Sequence, residues 1–169
     1  HFNVLRDLRR VELDAGSSVG NFNWITAAPM FQATAAPDTA DGSIELGRES
    51  AITSRHYIDC SGGVRIGSFT TIGGVRSTIL SHQVDVQSGR QSSAVTRIGD
   101  YCFVSSNVCV VPGASVADRC VVAMGAVVAG DLATTGALYG GVPARLLKDA
   151  IEGGRYFSRR RGYVGLDES

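Results

Sequence analysis

Ile98-Gly-Asp-Tyr-Cys-Phe-Val104-Ser-Ser-Asn-Val-Cys-Val110-Val-Pro-Gly-Ala-Ser-Val116-Ala-Asp-Arg-Cys-Val-Val122-Ala-Met-Gly-Ala-Val-Val128 carries an aliphatic residue at every sixth position without a slip. Neither a helix of period 3.6 nor an ordinary strand of period 2 produces this spacing. Short strands, each offering one inward aliphatic anchor and joined by tight corners, do produce it. Three such hexads close one turn of a parallel β-helix. The fourth residue after each anchor is Cys102, Val108, Ala114, Cys120, Ala126 or Leu132, mostly small and apolar. Two inward side chains per hexad therefore share a narrow prism.

Working outward, the period continues less cleanly through Leu13, Val19 and Ile25, through Leu46, Ile52, Ile58 and Val64, and through Ile66, Ile72 and Val84, with Thr78 inside the last set. The two-residue offset between Val64 and Ile66 reads as a register adjustment. Together these segments predict roughly five to six coils, a rod on the order of 25 Å tall at the usual strand spacing. Two stretches break the period, about 28–43 and 87–97. Both are polar, rich in small residues and too long for tight turns, so they are read as loops leaving the prism, where sites are built. The domain reading is a β-helix over 1–148, followed by a short helix over 149–153 that closes the end and by a basic, aromatic tail to residue 169.

The chain of 169 residues carries 16 basic and 16 acidic side chains and 21 glycines. This balance suits many corners and argues against disorder and nucleic-acid binding. Nothing resembles a membrane span or a signal peptide, which points to a cytoplasmic protein without stable membrane insertion. The chain begins at His1 rather than a methionine, which suggests a trimmed terminus. Cys102 and Cys120 fall at equivalent inward positions of adjacent coils and read as small core residues rather than a disulfide. Cys60 and Cys109 have neither a Cys-x-x-Cys partner nor a histidine at ligand spacing, so no metal site is expected.

The segments Ile58-Asp-Cys-Ser-Gly-Gly-Val-Arg-Ile-Gly67, Leu80-Ser-His-Gln-Val-Asp85, Ile98-Gly-Asp-Tyr-Cys-Phe-Val104, Val111-Pro-Gly-Ala-Ser-Val116 and Gly140-Gly-Val-Pro-Ala-Arg145 resemble, in order and spacing, the hexapeptide-repeat acyltransferases. Over about 44–148 the chain looks most like the O-acetyltransferases of sugars and surface polysaccharides. The resemblance implies an all-β solenoid, a left-handed parallel β-helix. It also implies acetyl-CoA as acyl donor, a saccharide acceptor, and a homotrimer with active sites between neighbouring prisms.

Transfer of an acyl group from a thioester to a hydroxyl needs a base for the hydroxyl proton, and histidine suits that task near neutral pH. His82, beside the second excursion, matches the family's H-x-x-D segment and is the expected general base, with Asp85 as its candidate partner. Asp59 resembles an acid that contacts the acceptor sugar, and His56, at an inward hexad position, either distorts its corner or faces a neighbour and is a second acceptor-site candidate. Ser106, Met124, Ala129 and Gly130 match positions that contact acetyl-CoA in relatives, although Met124 replaces a small residue and Ala129-Gly130 a common Thr-Lys pair. Arg145 and Lys148 resemble the basic segment that grips the nucleotide. N-acetylation of an amino sugar and a non-catalytic scaffold are the competing readings. A γ-type carbonic anhydrase would need three zinc-binding histidines, and only His56 and His82 are internal.

Overall fold

The computed structural model describes residues 2–32 and 42–165. The chain winds through three parallel sheets that form the faces of a prism. Face A stacks Val4–Arg6, Trp24–Thr26, Tyr57–Asp59, Thr78–Ile79, Cys109–Val110 and Val127–Val128. Face B stacks Arg10–Leu13, Ser43–Leu46, Val64–Ile66, Thr96–Ile98 and Ser115–Val116, and Leu132 bridges onto Val116. Face C stacks Ser18–Val19, Ala51–Ile52, Thr71–Ile72, Phe103–Val104, Val121–Val122 and Leu138–Gly140.

The anchors line the interior in columns. Ile25, Ile58, Ile79, Val110 and Val128 run up face A, Leu46, Ile66, Ile98 and Val116 up face B, and Ile52, Ile72, Val104 and Val122 up face C, all buried. Each such side chain contributes about 1.5–3 kcal/mol on burial. The small positions Cys102, Val108, Ala114, Cys120 and Ala126 fill the corners between them. Cys102 and Cys120 are free and buried, and each thiol donates to a backbone carbonyl of the next coil, Ala117 and Thr134.

The phase departs from the sequence reading in four places. An extra residue in the corner before Thr78 moves the anchor to Ile79, so Thr78 faces outward. Val84 lies outside the prism and is exposed. Val64 and Ile66 both point inward from a single strand, and the corner before it absorbs the additional length. Leu132 takes an anchor position on face B instead of a corner position.

The second excursion is an antiparallel hairpin, His82–Asp85 against Arg90–Ser93, and Thr96–Ile98 is already back on face B. It therefore begins and ends earlier than 87–97. The first excursion starts with the short helix Pro29–Gln32; positions 33–41 lie outside the described residues.

No helix forms over 149–153. Arg145–Lys148 instead pairs antiparallel with Leu138–Gly140 and covers the free edge of face C, and a 3-10 turn follows at Arg155–Ser158. Gly153 and Gly154 make the intervening segment a poor helix former, whereas an exposed sheet edge offers unpaired backbone groups to the strand.

Candidate active site

The corner between faces A and B that follows Tyr57–Asp59 is flanked by both excursions. One coil below it the chain leaves after Thr26, and one coil above it leaves after Ile79. The corner residue Gly62 faces both the departing and the returning strand of the hairpin. A Cβ there would run into the Ser81 carbonyl and the Ala94 amide, so only glycine lets them close in. Ala94 N donates to the Ser81 carbonyl at 2.9 Å and fixes the base of the hairpin.

His82 is the first residue of that hairpin, with its side chain one-third exposed. Its Nδ1 donates to Asp59 Oδ2 at 2.7 Å. That bond assigns the proton of the neutral ring to Nδ1 and leaves the Nε2 lone pair without a hydrogen-bond partner among the described residues. Asp59 is only 2% exposed. Its Oδ1 accepts from Ser61 N at 3.2 Å and Ser61 Oγ at 2.5 Å, and its Oδ2 also accepts from Ser81 N at 2.9 Å. Burial alone would push this carboxyl up, but the bonds from Ser61, Ser81 and His82 outweigh it and hold it below the usual carboxylate range.

The candidates divide sharply. Asp85, expected as the partner of His82, is fully exposed at the hairpin turn, where it accepts from Ser88 Oγ at 2.8 Å and Gln87 N at 2.9 Å. Those bonds, led by the Ser88 hydroxyl, lower its carboxyl. It caps a turn, and the carboxylate bonded to His82 is that of Asp59. Asp59 is in turn too buried for the acceptor contact expected of it.

His56 is corrected as well. It is 2% exposed in the corner between faces C and A, where Ser77 N donates to its Nδ1 at 3.1 Å and its Nε2 donates to Thr53 Oγ1 at 2.9 Å. Burial pushes this imidazole down, against a smaller opposing effect of a hydrogen bond with the Gly74 backbone. With both nitrogens engaged inside the wall, it holds a corner and faces no substrate.

Ser106 and Met124 lie at the corner between faces C and A, whereas Ala129 and Gly130 lie at the corner between A and B. Ser106 Oγ accepts from Val75 N at 3.1 Å, and Met124 is exposed. Arg145 and Lys148 are exposed on a strand, not at the start of a helix. Arg145 stands opposite Gly140 and Lys148 opposite Leu138, with Leu147 the extra residue of an irregularity between them, so the two basic residues fall on one side of the strand.

The arginine-rich tail lies elsewhere. Tyr156 donates to the Cys102 carbonyl at 3.0 Å, the Arg159 guanidinium sits 3.8 Å from the Tyr156 ring centroid, and Arg159 also donates to the Phe69 carbonyl. These contacts strap the tail to the corner between faces B and C, where Phe69 and Tyr101 stack at 4.7 Å. Among the described residues no group of three or more His, Cys, Asp or Glu side chains is disposed to hold a metal ion.

Three residues at the site had no assigned role in the sequence: Ser61, Ser81 and Phe31, whose ring meets that of His82 at 5.6 Å between centroids and 46° between planes. A signal for the serines existed. With Ile79 rather than Thr78 as the anchor, Asp59-Cys-Ser61 and Ser81-His82 fall in adjacent coils beside the aligned pair Ile58 and Ile79.

No protein-family model and no curated protein matches the chain. Solved structures do. A maltose O-acetyltransferase from Clostridium difficile 630 superposes with a TM-score of 0.62 at 19% identity, over 79% of this chain and 69% of that one. A galactoside acetyltransferase in complex with coenzyme A gives 0.63 at 20% identity, over 89% and 73%. A variant N-acyltransferase from Bacillus cereus, in complex with dTDP and coenzyme A, gives 0.61 at 15% identity, over 87% and 83%. The three-faced prism is thus the left-handed parallel β-helix that hexapeptide-repeat acetyltransferases adopt.

Proposed function

We propose that the chain is an acyltransferase that moves an acetyl group from acetyl-CoA to a hydroxyl of a sugar or surface-polysaccharide precursor, with His82 as general base and Asp59 as its orienting partner. The observation that carries this reading is the 2.7 Å bond from His82 Nδ1 to a buried carboxylate, which leaves Nε2 as the proton acceptor of a partly exposed ring. As the acceptor oxygen bonds to the acyl carbon and the carbon–sulfur bond breaks, the hydroxyl proton passes to Nε2 and then to the departing thiolate. Asp59 holds the tautomer and stabilises the imidazolium formed on the way. Coenzyme A bound to the galactoside acetyltransferase neighbour supports the donor class, and the maltose O-acetyltransferase and galactoside acetyltransferase neighbours support the acceptor class. N-acylation of an amino sugar is the second reading, favoured by the Bacillus cereus N-acyltransferase neighbour.

A threefold assembly is part of the proposal. The donor candidates sit on the two corners that flank face A, so one prism alone does not bring them together. Face A presents an outward ladder of Val4, Trp24, Tyr57, Thr78, Cys109 and Val127 with no charge, whereas the ladder on face B runs Glu12, Glu45, Arg65, Arg97 and Ser115. Packing three A faces about an axis sets the A–B corner of each prism beside the C–A corner of the next. Ser106 and Met124 would then face the His82 of a neighbour, and Arg145 and Lys148 would meet the 3′-phosphate.

Mass spectrometry after incubation with acetyl-CoA and a panel of sugars, amino sugars and nucleotide sugars tests the activity. An O-acetylated product is expected, and His82→Asn should lower kcat by about 10² to 10⁴. Parental turnover by that variant would refute His82 as the base.

A further inference from the structure

The first excursion reaches the imidazole by two independent routes. Through space, Phe31 of the helix Pro29–Gln32 lies against the His82 ring. Through hydrogen bonds, Ala28 N donates to Ser61 Oγ at 2.9 Å, Ser61 Oγ donates to Asp59 Oδ1 at 2.5 Å, and Asp59 Oδ2 accepts from His82 Nδ1 at 2.7 Å. Ser61 is fully buried, and its single hydroxyl proton goes to the carboxylate while its lone pair takes the amide of the excursion. Gln32 Nε2 donates to the Asp7 carbonyl and pins the far end of the helix to the first coil.

A hydroxyl that accepts one hydrogen bond donates a stronger one, because each bond in a chain polarises the next. Seating of Ala28 therefore strengthens the grip of Ser61 on Asp59. An aromatic ring beside a proton-accepting imidazole also offers an apolar wall at the point where an acceptor hydroxyl must arrive. A pyranose suits that wall, since its C–H face is apolar while its hydroxyls point outward.

We propose that residues 27–32 form an acceptor clamp, in which Phe31 is the specificity wall for a sugar ring and Ser61 is a positioning residue that ties the seated clamp to the Asp59–His82 pair. This rests on the acyltransfer reading with His82 as base, and its consequences separate from that reading. The clamp faces the acceptor, so its loss acts on acceptor binding, whereas loss of Ser61 acts on the orientation of the base.

Steady-state kinetics with the best sugar from the panel, alongside hydrolysis of acetyl-CoA without acceptor, tests both parts. Phe31→Ala should raise the acceptor KM about tenfold while the KM for acetyl-CoA and the acceptor-free hydrolysis stay at parental values. Ser61→Ala should lower kcat about tenfold at unchanged acceptor KM, and Ser61→Thr, which keeps the hydroxyl, should recover most of it. Thermal denaturation of each variant identifies any loss of fold, and Phe31→Leu, which keeps bulk but not the aromatic ring, serves if Phe31→Ala is unstable. A folded Phe31→Ala or Phe31→Leu variant with the parental acceptor KM would overturn the clamp, and a Ser61→Ala variant with the parental kcat would overturn the relay. Should His82→Asn itself turn over normally, the reading of His82 as the base fails instead.

Discussion

His82 and His56 carry the same ring into opposite situations, one with a nitrogen left open at a corner and the other sealed inside the wall. The sealed ring has a consequence for acid stability. Folding lowers the His56 pKa, so between its folded value and about 6.5 the unfolded chain binds a proton that the native state refuses. Its contribution is fully present above that unfolded value and is lost as pH falls through the folded one. Denaturant midpoints measured from pH 7.5 down to 5 should therefore decline for the parent and decline less for His56→Gln, and parallel curves would show that the ring does not titrate on unfolding. Asp59 adds a loss of the same sign at lower pH, below the ordinary carboxylate value near 4. The two aspartates separate by activity. Asp59→Asn should cut kcat by about 10² or more, since an amide no longer fixes the Nδ1–H tautomer. Asp85→Asn should stay within a few-fold of the parent, and the reverse order in an activity assay would reinstate Asp85.

At the scale of elements, the strand Arg145–Lys148 changes what a basic pair can do. A regular strand would turn residues three apart to opposite sides, whereas the extra residue at Leu147 returns Arg145 and Lys148 to one side. Arg145→Ala and Lys148→Ala are thus expected to behave alike: each should raise the KM for acetyl-CoA several-fold with kcat unchanged and weaken discrimination against dephospho-acetyl-CoA. An effect from only one of the two variants would mean they do not act as one clamp. The coils from Ile98 to Val128 were legible because nothing interrupts their anchors. Below Ile98 the period constrains only inward residues, so a corner takes an extra residue at little cost, as before Ile79, and the phase slips unseen. That slip hid Asp59 from His82, since the two meet across coils and 23 residues of chain. That His82 stands at the start of an excursion was legible from the polar interruption that follows it. Phe31 was not, because an excursion has no period from which to infer its neighbours. The helix over 149–153 was misread because the free sheet edge takes Arg145–Lys148 as a strand and only a short segment is left before Gly153 and Gly154.

For the whole molecule, the uncharged ladder on face A is the surface that a threefold assembly would cover. Cys109 stands in that ladder and is exposed in the single chain, while Cys60, Cys102 and Cys120 are buried. A thiol reagent should accordingly modify Cys109 slowly in the native protein, and light scattering should give three times the chain mass. A monomer mass at micromolar concentration, with Cys109 reacting as an unhindered thiol, would dissolve the intersubunit site. The stacking of face A has one more consequence. His82 departs from the rung Thr78–Ile79, and the last rung of that face, Val127–Val128, lies two steps further on, after which the chain passes Leu132 on face B and Leu138–Gly140 on face C before the strand bearing Arg145. At roughly 4.8 Å per rung, about 10 Å of climb separates the base from the last turns of the prism. Height along the axis is therefore a graduated scale, on which the base and the proposed phosphate strand are two marks. Inserting or removing one eighteen-residue coil between them would slide the marks by a single graduation while leaving the chemistry at each untouched, so the reach of the donor's arm is matched by a count of turns.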